Sequence, residues 1–248
     1  MSTRTRTEAE AFRALHDRPE RADPLVIPNV WDVVSARAFA DAGHRALATS
    51  SAAVTAVLGY QDGGDIPADE MFDALTRIVR AVGVPVTVDI EDGYGLPPGE
   101  IVDRLLTMGA VGCNLEDTDH RSGTLKDAHR HADWLAEVTV AAGDRLVVNA
   151  RVDTFLHGDR GVEETIRRGL LYTEAGADVV YPILAPVHLL PDLAEAVRTP
   201  LNALFRPDGP DFAELGWLGV SRVTFGAGLY DRATAALADI ARDPAAGG

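Results

Sequence analysis

The stretch VTVDIEDGYG, residues 86–95, runs from β-branched residues into three acids, Asp89, Glu91 and Asp92. Other apolar runs end in the same way. Glu116 and Asp117 close one, Asn149, Arg151 and Asp153 close another, and Thr49, Ser50 and Ser51 close a third, with Asp62 following in LGYQDGGD (58–65). Alternation along a strand puts Asp89 and Glu91 on one face, and Glu116 on a neighbouring strand could join them. Carboxylates at one mouth repel each other, so either some are protonated or a cation sits among them. An oxygen-only set favours a hard ion, Mg²⁺ or Mn²⁺, and no His or Cys cluster has zinc spacing. Mg²⁺ keeps several waters, so Asp89 is read as the direct ligand and the other acids as holders of those waters. Asp92, Asp117 and Asp153 fit helix N-caps equally well. Arg151 can pair with one of the acids or grip a substrate carboxylate with its planar fork.

These residues need elements that hold them together. A periodic helix ending at a glycine and followed by a short apolar run recurs as FADAGHRALATS (39–50), RAVGVPVTVD (80–89), LTMGAVGCNLE (106–116), VAAGDRLVVNAR (140–151), TEAGADVVYP (173–182) and LGWLGVSRVTFG (215–226). The glycine suits the left-handed residue that closes a helix, and the apolar run suits a parallel strand buried on both faces. LVIP (25–28) and PLNAL (200–204) bring the strands to about eight. Helices over 69–82 and 99–108 carry apolar stripes. Eight alternating units in 248 residues predict an α/β fold, a single-domain (β/α)8 TIM-type barrel spanning 1–248, with a short helical extension at residues 7–16 and a frayed tail at 243–248. The rival doubly wound sheet usually has a glycine fingerprint after its first strand, which PNVWDVVSA (28–36) lacks.

Composition narrows the function. The formal net charge of −15 argues against nucleic acid. No apolar run is long enough to span a membrane, and no signal-like segment opens the chain. One cysteine, Cys113, excludes an internal disulfide and fits a cytoplasmic setting; inside its strand it reads as a packing residue. The only lysine, Lys126, lies beyond a loop and away from the strand tips, which disfavours imine chemistry. His120, in the loop after the fourth strand, is an acid/base candidate or a surface histidine, and His157 is a second candidate. His16, His44, His129, His131 and His188 read as surface or helix residues.

The motifs PNVWDVVSARAFADAG (28–43), ATSSAAVTAVLGYQD (48–62), VTVDIEDGYG (86–95), GCNLEDTDHRSG (112–123) and VNARVDTFL (148–156), in that order, resemble the isocitrate lyase/phosphoenolpyruvate mutase superfamily. The resemblance covers roughly residues 27–226. It implies a Mg²⁺-dependent barrel acting on small 2-oxo or 2-hydroxy acids through a pyruvate-type enolate. It implies that Asp89 is the direct metal ligand and that Asp62, Glu91 and Glu116 hold metal-bound waters. By the same resemblance Arg151 grips the substrate and Ser50, Ser51 and Ala52 hold a carboxylate. Asn202 joins the substrate-binding candidates, and Arg151, His120 and Glu116 form the catalytic set.

The chain also departs from that superfamily. The lyase branch carries a KKCGH-type loop with an acidic Cys, whereas the loop here is DTDHRSGTLK (117–126). The mutase branch has Lys and Asn in its loop, which DTDHRSG does not match. Cleavage of isocitrate or methylisocitrate is therefore not expected. The expected activity is carbon–carbon cleavage, by retro-aldol reaction or decarboxylation, of an oxaloacetate-like or substituted malate-like acid. Mutase or hydrolase action on a phosphonate is the alternative, and a non-catalytic metabolite-binding barrel is a third reading. A homo-oligomer, dimer or tetramer, is expected. The last helix is often swapped between subunits in the superfamily; the 21 residues from Gly228 to Gly248 are too few to predict that here.

Overall fold

The computed structural model describes residues 3–17, 22–64, 66–157 and 161–243; the expected frayed tail beyond Asp243 lies outside them. Among the described residues eight parallel strands close on themselves. The first, β1, comes in two pieces, Leu25–Val26 and Asn29–Val30. The others are β2 (Leu47–Thr49), β3 (Val86–Asp89), β4 (Gly112–Glu116), β5 (Val147–Val152), β6 (Val179–Pro182), β7 (Leu201–Leu204) and β8 (Val220–Thr224). The two pieces of β1 lie at opposite ends of the hydrogen-bonded order, one beside β8 and the other beside β2, and this closes the barrel. Pro28 marks the handover. Ile27 N donates to Val223 O at 2.9 Å, and Pro28, with no N–H to offer, accepts from Ala48 N at 2.9 Å.

Helix α1 (Thr3–Ala14) covers the amino-terminal end of the barrel, and the helices on the outside are α2 (Val33–Asp41), α3 (Ser51–Leu58), α4 (Ala68–Arg80), α5 (Pro98–Met108), α6 (Ala128–Ala142), α7 (Gly161–Glu174), α8 (Leu190–Val197), α9 (Phe212–Trp217) and α10 (Gly228–Arg242). Gly109 closes α5 at φ +93°, as the repeated helix–glycine–strand unit predicts. The apolar stripe of α4, with Met71, Phe72, Leu75, Ile78 and Val79, and that of α5, with Ile101, Val102 and Leu105, pack against outward strand residues such as Val88, Cys113, Leu115 and Val148. Cys113 is fully buried there, and burial pushes its thiol up to about 12, which fits a packing residue.

The barrel interior is layered. At the amino-terminal end Phe12 of α1 packs with Leu25, Ile27, Ala46, Ala48, Val111, Val147 and Val179. Burying one such ring contributes about 1.5–3 kcal/mol. Arg13 ties α1 down, its Nε 2.6 Å from Asp178 Oδ1 and its Nη2 donating to Leu146 O at 2.8 Å. The middle layer is polar: Thr87, Asn114, Asn149, Asn202 and Arg222 are all buried. Above it lie the carboxyl ends of the strands. His16 and His131, read as surface or helix residues, are buried at 5% and 2% exposure: His131 is on α6 but turns inward against Tyr172, and His16 is covered because α1 plugs the barrel.

The last helix differs in kind from the rest. α10 buries none of its residues, and Leu237 and Ile240 of its expected stripe are 63% and 56% exposed. A groove between α2 and α10 is lined by Trp31, Val34, Phe39, Leu229 and Ala233. Among the described residues no helix is long and apolar enough to cross a membrane.

Candidate active site

Asp89 ends β3 at the carboxyl mouth of the barrel. Its backbone N donates to Thr49 Oγ1 at 2.9 Å, which ties β3 to the tip of β2. Its Oδ2 accepts from Ser51 Oγ at 3.1 Å and, more weakly, from Ser51 N at 3.4 Å. Its Oδ1 is buried with no hydrogen-bond partner among the described residues. Ser51 and Ala52 form the first turn of α3, and Ser50 caps that helix by accepting from Ala53 N at 3.4 Å. Ser50 and Ser51 thus already have partners within the chain, with the positive end of the α3 dipole beside Asp89.

Glu91 reaches the mouth by a route that alternation does not describe. β3 has stopped, and the backbone turns left-handed at Glu91 (φ +50°) and Tyr94 (φ +53°). Non-glycine residues seldom adopt this conformation, and it collects at functional sites. Glu91 O accepts from Glu116 N at 3.0 Å, which pins the turn to β4. The Glu91 side chain is buried and its Oε1 has no partner among the described residues. Burial, reinforced by Asp89, Glu116 and Asp62 and opposed by His120, pushes this carboxyl up to about 8. Burial likewise pushes Glu116 up to about 7 against the pull of Arg151 and His120. Asp62 lies on an exposed loop, yet partial desolvation and the facing charge of Asp89 raise its carboxyl as well.

Arg151 is held on two sides. Its Nη1 lies 2.6 Å from Glu116 Oε2, while Nε and Nη2 donate to the two oxygens of Asp153 at 2.6 and 3.0 Å. Of the two sequence readings of Arg151, pairing with acids is the one the geometry displays. Asp153 also accepts from Thr118 Oγ1, and that hydroxyl is 2.8 Å from His157 Nε2. Asp92, Asp117 and Asp153 cap none of the described helices. Asp92 Oδ1 accepts from Tyr94 N at 3.2 Å, and its Oδ2 lies 3.4 Å from Lys126 Nζ. Asp117 accepts from Asp153 N, Tyr172 Oη and Arg168 Nη1, tying β4 to β5 and α7.

His120 sits on a hairpin in which Thr118–Asp119 pairs with Thr124–Leu125. The hairpin folds over the mouth, and His120 Nε2 makes an ion pair with Glu116 Oε1 and lies 3.7 Å from Glu91 Oε2. Contact with Glu116 pushes the imidazole up to about 9. On its far side the ring abuts Gly63, φ +66°, where an added Cβ would come within 2.9 Å of Nδ1. The Asp62 loop and the hairpin therefore meet across the mouth through His120. A cleft of about 660 Å³ opens beside them, lined by Glu91, Tyr94, His120, Arg121, Lys126 and Trp134 among others. Asn202 is fully buried and donates to Thr224 Oγ1 at 3.0 Å.

Asp89, Glu91, Glu116, His120, Arg151 and the Asp62 loop thus share one mouth. Among the described residues no three acidic, His or Cys side chains converge closely enough to hold an ion by themselves. The donor set still suits a hard cation: two buried carboxylate oxygens, on Asp89 and Glu91, lack partners, and the remaining positions would be water. Sequence reasoning missed Tyr94, whose buried hydroxyl has no partner among the described residues and faces the charges of Glu91 and Asp89. It also missed Tyr181 and Arg222, which lie on inward faces of β6 and β8; alternation with Val180 and Val223 would have flagged both.

The chain is similar to known proteins in sequence and in structure. The profile of the phosphoenolpyruvate phosphomutase family matches residues 12–244. The uncharacterized protein Rv1998c of Mycobacterium tuberculosis is 36% identical over 91% of this chain and 88% of its own. The 2-methylisocitrate lyase of Aeropyrum pernix is 32% identical over 76% of this chain and 64% of its own. A crystal structure from Burkholderia cenocepacia J2315, provisionally assigned as a phosphonomutase, superposes with a TM-score of 0.87 at 38% identity, covering 95% of this chain and 99% of that one.

Proposed function

The chain belongs to the phosphoenolpyruvate phosphomutase family, and from that premise we propose that it is a Mg²⁺-dependent carbon–carbon lyase. Its substrate is a small 2-oxo or 2-hydroxy di- or tricarboxylic acid, cleaved by retro-aldol reaction or decarboxylation. The observation that carries this reading is the pair of unpartnered buried oxygens, Asp89 Oδ1 and Glu91 Oε1, at a mouth walled by Glu116 and Arg151. Asp89 would hold the ion directly, with Asp62, Glu91 and Glu116 on its waters; Mn²⁺ could replace Mg²⁺. Bound there, the ion would supply the Lewis acidity that lowers the cost of negative charge on a pyruvate-type fragment.

The chain's own groups do the rest. Arg151, held by Asp153, presents a fixed positive charge toward the mouth and orients the substrate carboxylate with Ser50, Ser51 and Ala52, whereas Asn202 lies in the buried layer below, bonded to Thr224. In retro-aldol cleavage of a 2-hydroxy acid the hydroxyl loses its proton and becomes the carbonyl of the 2-oxo product. The electron pair of the broken bond stays on the other, carboxylate-bearing fragment, whose carbon then takes a proton. In decarboxylation of a 2-oxo acid the pair stays on the pyruvate-type fragment, and that carbon takes the proton. His120 lies between Glu116 and Glu91 and is the group assigned to that transfer. DTDHRSGTLK (117–126) has no Cys, so isocitrate and methylisocitrate are not the proposed substrates. The proposed setting is cytoplasmic. The proposed assembly is a homo-oligomer, dimer or tetramer, supported by the exposed apolar residues of α10.

The second reading, mutase or hydrolase action on a phosphonate, is favoured by the 38% identity to the Burkholderia protein. One experiment separates the two. The purified protein is incubated with Mg²⁺ and a panel of 2-oxo and 2-hydroxy diacids, and with phosphonopyruvate in parallel. Chelator-sensitive release of a 2-oxo acid from a diacid supports the lyase. Turnover of phosphonopyruvate without diacid cleavage replaces it with the second reading, and no turnover with either removes both.

A further inference from the structure

Arg222 stands in β8, fully buried inside the barrel. Barrels of this kind usually fill their interior with branched apolar residues; here Arg222 lies in the polar layer with Thr87, Asn114, Asn149 and Asn202. Its Nη2 donates to Asn114 Oδ1 at 3.4 Å, and that oxygen also accepts from Asn149 Nδ2 at 2.8 Å. Its Nε and Nη1 have no partner among the described residues, and no carboxylate there lies within ion-pair reach of it. A guanidinium buried without a counterion destabilises a fold. Burial pushes Arg222 down to about 10, which leaves it charged at neutral pH, and the carboxylate whose charge it feels is that of Asp89.

Register places that charge under the mouth. Asn114, which Arg222 touches, stands opposite Asp89 on one side and Asn149 on the other. Two residues further along the same strands are Glu116 and Arg151. Thr224, two residues on in β8, is at the strand tip, so the backbone of Arg222 lies about 7 Å below that tip and its guanidinium reaches the Asn114 level, in register with Asp89.

We propose that Arg222 is a positioning residue of this site. It is a fixed positive charge beneath the floor that, through Asn114 and Asp89, strengthens the hold on an anionic ligand and on the negative charge that develops during cleavage. The inference rests on the metal-and-carboxylate reading above. It also explains why an uncompensated cation persists in the core: a stabilising apolar residue there would remove the field.

The test uses the full chain and three measurements on Arg222→Met, of similar volume, and Arg222→Lys, which keeps the charge. They are the Tm of metal-free protein, the calorimetric Kd for oxalate in excess Mg²⁺, and the Kd for Mg²⁺ alone. The expected result is that Arg222→Met folds with Tm equal to or above that of the parent while oxalate affinity falls roughly ten- to a hundredfold. Arg222→Lys should stay within a few fold. A fold lost, or a Tm lowered by many degrees, in Arg222→Met would make Arg222 a structural tie and overturn the inference. So would an unchanged oxalate Kd in a stable variant. A parent protein that binds neither Mg²⁺ nor oxalate removes the reading of the site itself and this inference with it.

Discussion

Arg151 stands directly across the sheet from Glu116, and its Nη1 lies 2.6 Å from Glu116 Oε2. The same guanidinium holds both oxygens of Asp153, so one cation ties together two buried acids, one at the end of β4 and one just past the end of β5. That arrangement fixes Arg151 before any substrate arrives.

Replacing Arg151 with Met leaves Glu116 and Asp153 buried without their cation. Unfolding free energy should fall by about 3–5 kcal/mol, the range for removing one partner of a buried pair. Arg151→Lys keeps a charge but loses the planar fork, so it should retain more stability and still lose roughly a hundredfold in kcat/KM. Urea unfolding and steady-state kinetics on the two variants check this.

Asp89→Ala removes one of several repelling acids and the proposed direct ligand. Metal-free Asp89→Ala should melt at or above the Tm of the parent. The parent should gain about 2.7 kcal/mol at a hundredfold excess of Mg²⁺ over Kd, and the variant should gain nothing. Thermal melts with and without Mg²⁺ measure both effects.

Much of this was legible in the sequence. The helix–glycine–strand repeat predicts six of the eight strands, because most of them are short β-rich runs set off by a glycine free to turn left-handed, and the apolar runs LVIP and PLNAL supply the other two. Helices at 69–82 and 99–108 match α4 and α5 within two residues. The acids at the strand ends do gather at one mouth. What stayed hidden depends on tertiary contacts. The place of Glu91 rests on a left-handed turn, not on strand period. Asp117 meets Arg168 and Tyr172 more than fifty positions away, which no local pattern encodes. His16 is buried only because α1 plugs the barrel.

His16 gives a pH dependence with a definite sign. Its Nδ1 is 3.0 Å from Phe12 O, and burial, reinforced by the charges of Arg222 and Arg13, pushes the imidazole down to about 3. Between about 3 and 6.5 the unfolded chain binds a proton at this position that the folded chain does not. Stability from this group is therefore present above 6.5 and is lost as pH falls, with a slope of up to about 1.4 kcal/mol per pH unit. His16→Asn removes that slope. Urea unfolding at pH 6.5 and 4.5 should show the parent losing roughly 2–3 kcal/mol more than His16→Asn over that interval.

The uncovered stripe of α10 makes a prediction about assembly. Leu237→Glu combined with Ile240→Glu puts charge on residues 63% and 56% exposed, so the fold of one subunit should tolerate the change. Sedimentation velocity should show the parent as an oligomer and the double variant shifted toward monomer. Unchanged sedimentation would mean that α10 takes no part in assembly.

The most direct measurement is a crystal structure of the protein grown with Mg²⁺ and oxalate. An ion about 2.1 Å from a carboxylate oxygen of Asp89, ringed by waters held by Asp62, Glu91 and Glu116, is the predicted result. An ordered mouth with no ion, or Asp89 turned away from the one it holds, would contradict the account.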